Sequence, residues 1–162
     1  MDINKIISQL ILILLIFSIG FSKSDQMVIK YTNSNSVYGK SESSTLTISD
    51  SIAYLEKKIV YKKNETIQDL GKYRLSNYEL NKLKENLNNC FKKKNELSYT
   101  FEMKERGSTN LKTIYYLSDT TTKIIQIYNL NHEKKLPKNI IEILKLLNDI
   151  WDKILINQNK EL

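Results

Sequence analysis

The sequence predicts an α+β domain, a largely antiparallel β-sheet with two helices packed on one face. Three observations carry this. Apolar residues alternate with polar ones at Leu46 and Ile48 and again at Leu97, Tyr99, Phe101 and Met103, the period of half-buried strands. Between these stretches the period lengthens to that of a helix, opened by Ser76 and Glu79. A second helical pattern closes the chain after Pro137. No internal repeat or long linker separates the halves, and the length suits one domain, residues 23–162.

In chain order, Gln26 to Asn33 reads as a short strand through Val28, Ile29 and Tyr31, followed by a polar loop containing Gly39. Ser44 to Ser49 is a half-buried strand, Asp50 and Ser51 supply turn chemistry, and Ile52 to Lys62 is the return strand. Its parity breaks at Glu56 to Lys58, which predicts a bulge or an end to pairing there. The polar segment Asn64 to Arg74, with Gly71, reads as a loop.

Ser76 and Glu79 have the spacing of a capping box, in which each side chain satisfies a backbone donor at the helix start. Leu75 and Leu80 fit the accompanying hydrophobic staple. Leu80, Leu83, Leu87, Cys90 and Phe91 then recur at helical spacing, so one stripe faces a core. Lys92, Lys93 and Lys94 follow at the carbonyl end, where positive charge complements the helix dipole. After the alternating stretch at Leu97 to Met103 come a turn around Gly107, a strand from Leu111 to Ser118, a second turn, and a strand from Lys123 to Leu130. The loop from Asn131 to Leu136 leads into Pro137, which suits a helix start because its missing N–H would be unpaired there. Ile140, Ile143, Leu144, Leu147, Ile150, Trp151 and Ile154 form a broad apolar face, with charged residues between them.

The first residues form a different unit. Lys5 precedes the apolar run Leu10 to Phe17, which ends at the small residues Ser18, Gly20, Ser22 and Ser24, the pattern of an export signal. Cleavage is expected between Ser22 and Lys23, making residues 1–22 a signal peptide. An uncleaved signal anchor is the alternative, although the run is shorter than the roughly 20 apolar residues a bilayer crossing needs. The expected location is extracellular. The endoplasmic-reticulum lumen is an alternative, because the chain ends Lys160-Glu161-Leu162, part of a retrieval signal without its acidic pair. Within a secreted chain, Asn64-Glu65-Thr66 is an acceptor pattern for N-glycosylation at Asn64.

The formal net charge is +7 and survives signal removal, since Asp2 and Lys5 cancel. Such a domain is drawn to anionic surfaces. The excess is lysine, which lacks the planar fork used for bidentate phosphate recognition, so no specific nucleic-acid partner is expected. With Cys90 as the single cysteine no internal disulfide can form, and the fold must be held by its core. The phase of Cys90 in its helix predicts a buried, inert thiol.

Catalytic patterns are sparse. His132 is the sole histidine and lacks the second histidine of a zinc-protease helix. A Cys90–His132 nucleophile and base pair has no supporting context. Neither a nucleophile elbow, a phosphate loop, a Cys-x-x-Cys pair nor a calcium loop occurs. Glu102, Glu105 and Asp119 lack the spacing of paired carboxylates. The sequence therefore predicts a non-enzymatic protein without cofactor or metal.

Leu75 to Leu83, a Leu-Ser-x-x-Glu-Leu-x-x-Leu pattern opening a helix after several strands, together with Leu136-Pro137 before a terminal helix, resembles two groups in layout. One is the emfourins, small protein inhibitors of thermolysin-like metalloproteases, and the other a set of uncharacterised bacterial lipoprotein domains. The similarity spans Met27 to Leu155. It implies a protease-inhibitor-like domain and assigns no inhibitory residue.

The function expected is that of a small secreted binding module for an extracellular protein, with no stable membrane span after signal removal and no pattern that specifies an oligomer. One alternative is a basic ligand for acidic glycans, lipid head groups or nucleic acid through Lys57, Lys58, Lys62, Lys63, Lys92, Lys93, Lys94, Lys134 and Lys135, with Tyr54, Tyr61 and Tyr99 nearby. The other is an enzyme with an unrecognised site.

Overall fold

The structure, a computed structural model, describes residues 27–37, 40–92, 94–101, 108–118, 121–129 and 135–158. The signal segment with its Ser22–Lys23 junction, Lys93, Glu102, Glu105, Asp119, His132, Lys134 and the final four residues lie outside the described residues.

Four strands run as an antiparallel meander: β1 (Val28–Val37), β2 (Lys40–Ser49), β3 (Ile52–Tyr61) and β4 (Asn64–Arg74). Helix α1 (Asn77–Cys90) follows, then β5 (Glu96–Thr100), β6 (Ser108–Ser118), β7 (Thr121–Tyr128) and helix α2 (Lys138–Gln158). The sheet has seven strands in the order β4-β3-β2-β1-β6-β7-β5. β1 pairs antiparallel with β6 and so joins the two halves of the chain into one sheet. β5 lies parallel to β7 at the far edge, the single parallel pair in this sheet. The α+β class and the largely antiparallel sheet are those the sequence predicts.

Register places the core. Ile29 stands opposite Ile48 and Tyr116, and Tyr31 opposite Leu46 and Ile114, so these residues share one face. The rows continue through Ala53 and Leu55 on β3 and Ile125 on β7. All of these are buried, in one cluster with Leu83 and Leu87 of α1 and Ile140, Ile143, Leu144, Leu147, Ile150 and Ile154 of α2. Both helices thus cover the same face. Each fully buried Leu or Ile contributes about 1.5–3 kcal/mol relative to exposure, and α2 supplies six such side chains. No helix among the described residues is long and apolar enough to cross a membrane.

The helix starts follow their local chemistry. Glu79 N–H donates to Ser76 Oγ at 3.3 Å and Ser76 N–H donates to Glu79 Oε2 at 2.7 Å, completing the capping box. Leu75 is buried and Leu80 packs against the core, as the staple requires. Pro137 sits one position ahead of α2, where its carbonyl accepts from Ile140 and Ile141 at 3.0 and 3.1 Å. Lys92 and Lys94 fall beyond the Phe91 C-cap, and the last turn of α1 holds no basic residue.

Four sequence expectations need correction. Asn64 to Arg74 is a strand rather than a loop. It pairs along the whole of β3, and as an edge strand it buries so little side-chain surface that its composition stays polar. The irregularity expected within Glu56–Lys58 lies between Leu55 and Glu56, with the extra residue, Leu70, on β4. There Gly71 takes φ +107 and its N–H donates to Asp69 Oδ1 at 2.8 Å. β1 extends beyond Asn33 to Val37, and β2 begins at Lys40 rather than Ser44. Beyond the helices both faces of this hairpin meet solvent, so the alternation that reveals a strand fades. Finally, β5 covers Glu96 to Thr100 of the alternating stretch and Phe101 lies past its end, while Met103 lies outside the described residues. Alternation reveals which face a residue takes but not which neighbour its strand will choose.

Candidate functional site

Asn64 occupies the first position of β4, exposed, across the Lys62–Lys63 turn from Tyr61. Lys62 takes φ 57 in that turn, as two-residue hairpins demand. The acceptor pattern therefore stands at a hairpin tip on the sheet edge.

Among the described residues, the lysines named by the sequence are not gathered into one patch. Lys57 and Lys40 pair with Glu42 at 3.4 and 2.6 Å, and Lys58 pairs with Glu65 at 2.8 Å. The Lys40 ammonium, and then that of Lys57, holds the Glu42 carboxyl below its usual range. Lys62 lies over the Tyr61 ring, 5.4 Å from its centroid. Lys92 and Lys94 precede β5, at the opposite edge of the sheet from the β3–β4 tip. The tyrosines divide as well. Tyr54 pairs with Thr47 and Lys72 on the face away from the helices, whereas Tyr61 and Tyr99 share the phase of Leu55 and Leu97 on the helix side.

Cys90 is half-buried rather than fully buried, and desolvation pushes its thiol up to about 11. Thiolate, the nucleophilic form, is scarce at neutral pH under that condition. Among the described residues no group of three or more His, Cys, Asp or Glu side chains is placed to hold a metal.

What the fold does assemble is a polar cleft between β1 and α2. Tyr31, Asn33, Asn148, Trp151 and Asp152 line a space of about 360 Å³, within the range of small-molecule sites. The Tyr31 hydroxyl donates to Asn148 Oδ1 at 3.4 Å, which leaves the Asn148 amide N–H groups as donors. The Trp151 ring meets Tyr31 edge-on, with centroids 6.1 Å apart and planes at 67°. Asn33 follows Tyr31 by two residues and so shares its face. Its Oδ1 is buried without a hydrogen-bond partner among the described residues. Asp152, exposed, adds a carboxylate at the rim.

The same face continues as a surface of amides. Asn33 pairs with Ser44 on β2 and Lys112 on β6, and Asn35 pairs with Asn110. Asn110 Nδ2 donates to Asn35 Oδ1 at 2.5 Å, and Asn110 N–H donates to Asn129 Oδ1 at 3.3 Å. Asn110 Oδ1 is a second buried acceptor without a partner among the described residues. A burial that strands an acceptor costs about 1–3 kcal/mol, so two of them on one face of one sheet are informative. A larger space of about 600 Å³ lies at the β4 edge, but its rim includes Asn157 and Gln158, the last described residues.

The sequence reading ends its first strand at Asn33 and gives Asn148 no role. The signal was nonetheless present. Asn33 continues the phase of Ile29 and Tyr31 with an amide where an apolar residue is due, and Asn148 stands between Leu144 and Trp151 at helical spacing.

One network near the cleft serves the fold. Lys153 Nζ donates to Glu79 Oε1 at 2.5 Å, and the Tyr73 hydroxyl donates to the same carboxylate at 3.3 Å. Burial alone would push the Glu79 carboxyl up. Lys153, the Ser76 hydroxyl and the Ser76 N–H outweigh it and bring the group down to about 2. The N-terminus of α1 is thereby tied to α2. Comparison with protein-family models, with curated proteins and with solved structures finds no match to this chain.

Proposed function

We propose that the protein is a small secreted, non-enzymatic binding module that takes its ligand in the cleft between β1 and α2. The observation that carries this reading is the polar cleft itself, where Asn33, Asn148, Trp151 and Asp152 from distant segments meet around a space of about 360 Å³. Export is supported by the apolar run Leu10 to Phe17 with small residues after it. The exposed hairpin position of Asn64 is compatible with a glycan there.

The protein recovered from culture medium tests both parts. Intact mass should place the N-terminus at Lys23 and show a glycosidase-sensitive excess on Asn64. Trp151 is the only tryptophan, so its emission reports on the cleft directly. A panel of soluble oligosaccharides, short peptides, amines and sulfated glycans should contain a class that shifts this emission saturably. Full-length protein found only in membranes would refute the export reading, and an emission unmoved by every class would refute the cleft.

A further inference from the structure

We propose that two copies of this chain pair antiparallel along the free edge of β4, across a two-fold axis that joins their sheets into one. Among the described residues β4 has no neighbour beyond β3, and Asn64 to Asp69, Lys72 and Arg74 are all exposed. Its 11 residues span about 36 Å, and a strand edge is a row of backbone donors and acceptors that another strand can use. The charge order along β4 selects a second copy as the occupant. Glu65 and Asp69 lie in its first half, Lys72 and Arg74 in its second, so an antiparallel copy sets acid against base along the seam. The bulge then fixes the register. Because Leu70 is extra, Glu65 and Ile67 share the face away from the helices with Lys72 and Arg74, while Thr66 shares the helix side with Tyr73. Opposed residues in an antiparallel pair point to the same side. An axis between Asp69 and Leu70 meets that requirement: Glu65 faces Arg74 of the second copy, Thr66 faces its Tyr73, and Ile67 faces its Lys72. Glu65 meets Lys58 of its own copy through Oε2 at 2.8 Å, which leaves Oε1 for the guanidinium. The exposed Ile67 side chain gains cover from the aliphatic stem of Lys72. At the axis the Gly71 N–H is already taken by Asp69 Oδ1, so pairing runs in two arms on either side of the bulge. Room exists there, since about 600 Å³ lies open beside Asp69, Gly71 and Lys72, bounded by Ile154, Asn157 and Gln158 of α2. Asn64 faces Leu75, whose N–H already donates to the Ser51 carbonyl at 2.8 Å, so a glycan on Asn64 stands just outside the seam.

Sedimentation of the full chain recovered from medium, followed from micromolar to millimolar concentration, should show a dimer that weakens as salt screens the seam. Glu65→Arg alone and Arg74→Glu alone each set like charges against each other in both arms. Each should raise the dissociation constant about ten-fold or more. An equimolar mixture of the two variants should restore the dimer, because each copy then supplies the charge its partner lacks. Both substitutions in one chain should do the same. Unfolding midpoints of the separate variants distinguish lost pairing from lost fold, and hydrogen exchange on the wild type needs no variant: β4 amides should be protected at high concentration and exchange freely on dilution. A monomer at every concentration, a dimer that both charge reversals leave intact, or variants that stay apart when mixed would overturn the inference. Protection of β4 that arises only on adding an extended peptide would overturn it too, by giving the edge to a different chain. None of these outcomes touches ligand binding in the cleft.

Discussion

Replacing Glu79 by Gln isolates the charge that ties α1 to α2. The Gln amide oxygen can still accept from the Ser76 N–H, so the capping box survives in part. What disappears is the ion pair with Lys153. A carboxyl held at about 2 instead of 4.5 stabilises the folded state by an upper bound of about 3 kcal/mol. The Lys153 side chain is 45% exposed and that of Glu79 13%, so solvent screens one side of the pair and about 1 to 2 kcal/mol is expected. The sign follows from the direction of the shift. Because the folded-state value is depressed, the stabilisation is full above 4.5 and drains away as the pH falls toward 2. Urea unfolding of wild type and Glu79→Gln at pH 7 should differ by that amount, which for a chain of this size is roughly 2–8 °C in Tm. The gap should shrink to about a quarter near pH 2.5 and close as the pH falls through about 2. Equal stability at pH 7, or a gap that persists undiminished in acid, would refute the argument.

Four further outcomes are expected. Leu147 is fully buried on α2, so Leu147→Ala should cost about 2–5 kcal/mol in urea unfolding. Gly71→Ala should lower stability by about 1–3 kcal/mol, because φ is +107 and the added Cβ would stand 3.4 Å from Ile154 Cγ2; an unchanged midpoint would show that the bulge relaxes freely. Cys90, with its thiol near 11, should react slowly with a disulfide reagent at pH 8 and quickly once urea unfolds the chain, and rapid native labelling would contradict its placement. Asn33→Leu should leave stability equal or up to about 1 kcal/mol higher, since it removes a stranded acceptor. A loss above about 2 kcal/mol would mean that the amide holds the fold together.

Much of this fold is written locally. The capping box at Ser76 and Glu79, the helix start at Pro137, the turn at Asp50–Ser51 and the apolar phase of α2 each depend on residues within a few positions of one another. Short-range sterics and hydrogen bonding decide them wherever the chain lies. The candidate site was legible only as a pair of exceptions, Asn33 and Asn148 at positions whose phase calls for apolar residues.

Tertiary structure decided what depends on partners distant in sequence. β4 became a strand because β3 supplies its hydrogen bonds, and backbone pairing needs no apolar side chain on an edge. β5 chose β7 as a parallel neighbour, a choice that alternation cannot encode. The cleft exists because β1 and α2, 117 residues apart at Tyr31 and Asn148, are pressed together by a shared core, and that same packing buried Asn33 Oδ1. By itself the sequence determined both helices, most of the strands and the apolar pattern of the first residues. Only the packing of distant segments, driven by apolar burial, determined which polar groups would meet and which acceptor would be left waiting.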